Sequence, residues 1–198
     1  MTIDRVNCSS FIGASLGIGL SVLSLARGKG IRNINYGNKE VTLISSMSIF
    51  GGLLGGVIGD KGKNTKAKVR EANQQMFGNI VIPISIMSMF NKMTKSMSTF
   101  TRGLVAVASL FAGTWFGHRV MDKVNGKLFG NEKKYDISAN DFLCDVDDGL
   151  YAVSTITNNH GIHRAVASVV PLTYIYMGYR TGKSQDSEFE GTKLNKKI

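Results

Sequence analysis

The chain has 198 residues, 43% of them hydrophobic and only 19% charged, against roughly 25% charged in an average globular protein. So much apolar surface excludes a disordered chain, and 23 Gly without a G-X-Y period exclude collagen. Two Cys exclude a disulfide scaffold or a four-Cys zinc site, and 24 Lys and Arg against 14 Asp and Glu set a net charge of +10.

The apolar residues fall into blocks, with the charges between them. Residues 9–26 and 41–59 carry no charge at all. At 1.5 Å per residue they reach about 27 and 28 Å, close to the ~30 Å hydrocarbon core of a bilayer. Residues 76–90, interrupted by Asn79 and Pro83, and residues 103–117 are shorter, and need flanking residues or local thinning to span. Residues 162–179 form a fifth block that contains His163, Arg164 and Pro171. The expected fold is all-α: a polytopic membrane protein of four or five hydrophobic helices, with one amphipathic acidic helix between the last two. The alternative is a soluble apolar bundle or membrane-surface protein, favoured by a mean hydropathy of only +0.01. Against it, a helix packed on a soluble core normally keeps a polar face, and the first two blocks have no charged one.

Small residues recur every four positions: Ser9, Gly13, Gly17 and Ser21 in the first block, Gly51, Gly55 and Gly59 in the second, Ser109, Gly113 and Gly117 in the fourth. Such stripes let helices approach closely where no hydrophobic force drives them together. They point to helix packing within the chain or to a homo-oligomer.

Residues 1–26 also resemble a secretory signal, with Ser24-Leu25-Ala26 as a small-x-small cleavage site; Asp4 and the length of the apolar stretch favour a retained helix. Basic residues fill nearly every connection, so the positive-inside rule does not choose an orientation. If residues 76–90 do not cross, the clusters from Lys61 to Arg102 share one face, expected to be cytoplasmic, and residues 119–161 lie on the other. Within that connection Val120, Val124 and Leu128 continue the fourth helix. After a turn near Gly130, Ser138 and Asp141 open a helix with a Phe142, Val146, Leu150 stripe and acids at Asp141, Asp145, Asp147 and Asp148. Gly161 is expected to end it. The organisation is thus a bundle over 1–118, a hydrophilic connection over 119–161, a hydrophobic helix over 162–180 and a charged tail over 181–198.

No constellation argues for catalysis. Thr181-Gly182-Lys183-Ser184 lacks the four-residue spacing between glycines of a phosphate loop, and no strand precedes it. Asp145-Val146-Asp147-Asp148-Gly149 puts its Gly fifth, where a calcium loop has it sixth. His160 and His163 are the candidate metal ligands, with Cys144 or Asp148 nearby in sequence, but their spacing demands no metal. The expectation is no cofactor and no enzyme. The short basic runs between apolar blocks suit anionic lipid headgroups rather than nucleic acid, and Trp115, Tyr174, Tyr176 and Tyr179 near block ends suit an aromatic belt. The sequence therefore reads as a non-catalytic integral protein of a cell or inner membrane, structural or self-associating; a small transporter, channel or pore is the alternative.

Overall fold

The computed structural model describes the backbone of residues 2–30, 34, 37–130 and 160–185, and side chains from residue 5 onward except 28–29 and 160–170. Among them the chain is all-helical, without strands, and three helices are long and apolar enough to cross a membrane: Arg5–Arg27, Asn38–Gly59 and Thr99–Phe129.

Helix α1 (Thr2–Lys29) leads to α2 (Asn38–Gly59). The chain turns through Asp60, Lys61 and Gly62; Lys61 and Gly62 both take positive φ, which glycine adopts freely and lysine rarely. Helix α3 (Thr65–Asn73) then passes without a break into a π-helical stretch (Gln74–Val81) and α4 (Ile82–Met93). Pro83 explains the widening. It has no N–H for the carbonyl four residues back, and its ring would collide with that carbonyl in a regular α-helix. Helix α5 (Thr99–Phe129) starts at Ser98, whose hydroxyl accepts from Thr101 N at 3.2 Å, and ends at Gly130 in the left-handed region. Helix α6 (His160–Lys183) closes the bundle.

The pairings fix directions. Gly13 lies against Gly51 and Gly55 against Ser9, so α1 and α2 are antiparallel. Gly178 packs on Gly52 and Gly182 on Gly56, so α6 runs parallel to α2. The Asn38 amide donates to Ser88 Oγ at 2.7 Å, so residues 65–93 return the full height of the bundle beside α2. Gly117 on Gly78 and Gly113 on Pro83 make α5 antiparallel to that return.

Two expectations are revised by this arrangement. The basic clusters around Lys61–Arg70 and Lys92–Arg102 lie at opposite ends of the bundle, because the helix between them is continuous despite Asn79 and Pro83. The connection after the fourth block also does not start and finish at one end: α5 and α6 are parallel, so Phe129 and His160 lie at opposite ends. Gly161 sits inside the first turn of α6 and breaks nothing. The expected acidic helix falls outside the described residues.

The core follows from the same pairings. Ile18, Val41, Ile44, Ile49, Ile80, Ile84, Tyr174 and Met177 are buried together between α1, α2, α4, α6 and the π stretch. Met87, Ala106 and Leu110 form a smaller cluster between α4 and α5.

Candidate functional site: a buried polar seam

The inner faces hold more than aliphatic side chains. Ser10, Ser21, Ser45 and Ser48 are buried on α1 and α2, with Ser10 and Ser48 against α6. Each spends its hydroxyl proton on a backbone carbonyl, as Ser48 does on Tyr174 O at 2.6 Å. A buried hydroxyl satisfied in this way leaves no unpaired donor.

Beyond these serines, the helix of residues 65–93 carries two chains of buried polar side chains. The first starts at the turn after α2. Lys68, fully buried, sets its ammonium 2.8 Å from Asp60 Oδ2 and donates to the Ser184 carbonyl at 2.9 Å. Asp60 also accepts from Gly62 N at 3.1 Å and from Asn64 Nδ2 at 3.0 Å. Burial alone pushes the Asp60 carboxyl up, but the hydrogen bonds from Lys68 and Asn64 and the lysine charge outweigh it and hold the group below its ordinary value. One turn on, Glu71 Oε1 accepts from Arg180 Nε at 3.0 Å and from Gln75 Nε2 at 2.8 Å. Gln75 Oε1 in turn accepts from Asn79 Nδ2 at 2.8 Å. The spacing 71, 75, 79 puts these three on one helical face. Asn79 Oδ1 ends the row, buried and without a hydrogen-bond partner.

The second chain faces α5. Gln74 donates to His118 Nδ1 at 2.6 Å and accepts from Asn125 Nδ2 at 3.2 Å. Asn125 Nδ2 also lies 3.3 Å from the Arg70 carbonyl, and its Oδ1 accepts from Asn73 at 3.3 Å. His118 is 1% exposed. Thr114, one turn before His118 on α5, is equally buried, and its hydroxyl has no partner. The two chains place two carboxylates, two cations, an imidazole, six amides and two unpaired oxygens along the inner faces of the bundle. Such a seam can hold water or a small donor, since a buried acceptor left empty costs about 1–3 kcal/mol.

The small residues named from sequence lie at the closest helix approaches. An added Cβ at Gly13 would fall on the Gly51 carbonyl, at Gly17 on the Met47 carbonyl, at Gly55 on the Ser9 carbonyl and at Gly117 on the Gly78 carbonyl. At Gly113 it would strike Pro83, and at Gly59 the Ser9 hydroxyl. Ser21 and Ser109 are buried and bond their own helix backbone at 2.8 Å. The other glycine face of α2 was not part of the expected stripe: Gly52 and Gly56 meet Gly178 and Gly182 of α6. Gly182 and Ser184 therefore lie at a packed helix end.

His160 and His163 fall in the first turn of α6, and their side chains lie outside the described residues, as does Cys144. No group of three His, Cys, Asp or Glu gathers among the described residues. Sequence reading missed His118, Glu71, Gln74, Gln75 and Asn125, put Lys68 in a basic connection and Arg180 at the start of the charged tail, and took Asn79 only as an interruption of a span.

Together the fold and the seam define an all-helical protein with three helices able to cross a membrane and a polar interior. Comparison adds no narrower class: the chain matches no protein-family model, and no curated protein or solved structure is detectably similar to it.

Proposed function

We propose that the chain is a non-catalytic integral membrane protein, a helical bundle closed by its own glycine-lined faces. One observation carries the reading: the surface is rich in large apolar side chains and the interior rich in polar ones. Phe11, Leu16, Leu20, Phe50, Ile58 (70% exposed), Phe100 (76%) and Trp115 point outward, while Gly, Ser and amide side chains share the interior with the aliphatic core. Water tolerates an apolar surface that extensive only where it serves as an interface; a bilayer requires it. Residues 65–93 and α6 run beside α2 and supply two further traversals, with Lys68, Glu71, Gln74, Gln75 and Asn79 of the first and Thr181 of the second buried. Because both glycine faces of α2 are filled within the chain, the bundle is self-contained rather than an oligomer built on the stripe. Carbonate extraction of membranes tests the placement: the chain should remain in the pellet, and release of intact protein would establish the soluble alternative.

A second reading, a small transporter or channel, is favoured by the seam. Ionisable and amide side chains inside a membrane bundle are costly and commonly mark a path for ions or solutes. Proteoliposomes containing the protein should then pass small cations faster than empty vesicles, and Gln75→Leu should suppress the difference. Vesicles no leakier than the empty control would leave the seam as internal bonding alone.

A further inference from the structure

We propose that the groove between the start of α2 and the end of α4 is a binding site for one anionic phospholipid, an inference that rests on the membrane reading above. The groove opens at the bundle end opposite the Asp60 turn. Its lining changes character along its length. At the mouth stand Lys39 and Lys92, both exposed and with no acidic residue lining the groove. One turn further in come Leu43 and Met89, 39% and 53% exposed, and deeper still Ile84, with the small hydroxyl residues Thr42, Ser46, Ser85 and Ser88 between them. The groove thus offers two cations to a phosphate at the bundle end and an apolar track along the helices below it. A phospholipid has that order of charge and hydrocarbon; a soluble phosphate compound would leave the apolar track empty.

The first turn of α2 adds to the mouth. No side chain caps its N-terminus, so leading N–H groups and the positive end of the helix dipole lie at that bundle end, where the two lysines outnumber Glu40 of the same turn. The floor is held rigid by the Asn38–Ser88 hydrogen bond and by Thr42, whose hydroxyl is tied to the Asn38 carbonyl at 2.7 Å. With those donors occupied, Lys39 and Lys92 carry the headgroup. Basic pockets between spanning helices are a known means of holding acidic headgroups.

The test uses the full chain purified in detergent, titrated with phosphatidylglycerol, phosphatidylcholine or inorganic phosphate and read by native mass spectrometry and thermal unfolding. Phosphatidylglycerol should bind one per chain and raise the melting temperature; phosphatidylcholine and inorganic phosphate should not. Each lysine near an acidic headgroup is worth about 5-fold in affinity, so Lys39→Gln with Lys92→Gln should weaken binding by about 25-fold. Lys61→Gln with Lys63→Gln, at the opposite end, should leave it unchanged. Equal losses in the two pairs, or no preference for phosphatidylglycerol over phosphatidylcholine, would overturn the site. Binding of inorganic phosphate with the same lysine dependence would replace the lipid with a free anion. Carbonate extraction of the membranes before detergent is added separates the two levels: a chain released from membranes defeats both readings, whereas a retained chain without lipid preference defeats the groove alone.

Discussion

Leucine at Gly55 and leucine at Gly19 pose opposite problems to the same pair of helices. At Gly55 the first added carbon already overlaps the Ser9 carbonyl of α1, whereas nothing lies within 4 Å of a Cβ at Gly19. Backbone cannot step aside as a flexible side chain can, so Gly55→Leu must separate α1 from α2. Overpacking of this kind costs about 1–3 kcal/mol and sometimes more. Thermal unfolding in detergent should show Gly55→Leu well below wild type and Gly19→Leu beside it; equal melting temperatures for the two variants would reduce the stripe to decoration.

The Asp60–Lys68 pair gives the residue scale a pH dependence with a definite sign. The folded carboxyl titrates below its ordinary value of 3.8, so its stabilisation is complete above that value. It is lost as the pH falls through the lower, folded one. Acid titration of the wild type should therefore reveal a loss of stability below about pH 4 that Asp60→Asn largely lacks. At neutral pH Asp60→Asn leaves the buried Lys68 ammonium without its counter-ion, a change that costs about 3–5 kcal/mol for a buried pair. An Asn variant as stable as wild type at pH 7 would mean that the Ser184 carbonyl alone holds Lys68.

At the scale of elements, the helix of residues 65–93 decides how the connections are shared between the two ends. It should place positions 63 and 95 on opposite sides of a membrane. Single-cysteine proteins Lys63→Cys and Lys95→Cys, in a background with Cys8→Ser and Cys144→Ser, can be treated in sealed vesicles with an impermeant maleimide. One position should react before permeabilisation and the other only after it; simultaneous reaction would mean that this helix does not cross.

This element also shows what the sequence makes legible. The small-xxx-small period survives in a single line of text because each stripe belongs to one helix, and Gly13, Gly17, Gly51 and Gly55 could be read directly. The seam could not. Glu71, His118, Asn125 and Arg180 come from three helices and become neighbours only through packing. Part of the signal was local: positions 71, 75 and 79 are all polar at helical spacing, a row that ends beside Pro83. Read one residue at a time, Asn79 counted against a span, although amides four apart can satisfy one another inside it.

At the scale of the whole molecule, two groups of helices meet along residues 65–93. On one side α1, α2 and α6 pack by glycine and serine; on the other α5 packs through Gly113 and Gly117. Helix α5 carries the signals of its own start and stop, Ser98 before it and Gly130 after it, and the turn near Gly130 was readable. The direction of α6 was not, since a hydrophobic block has no arrow until its partners are known.

The place of α6 has a consequence for biosynthesis. Helices α1 and α2 leave the ribosome before the other helices described and can form their antiparallel pair at once, but the second glycine face of α2 waits for a partner that follows α3, α4 and α5. Until then Gly52, Gly56 and Ser48 have no α6 backbone to meet, and Lys68 has no Ser184 carbonyl to bond. The contacts that finish the bundle join residues 126 and 116 positions apart, and contacts so distant in sequence form slowly. A nascent chain that has passed α2 therefore carries an open small-residue groove until α6 emerges. During that interval the groove is exposed to any other membrane helix that presents small residues, including α6 of a neighbouring copy. Expression level should then set how often α6 closes on its own chain and how often it is exchanged between two.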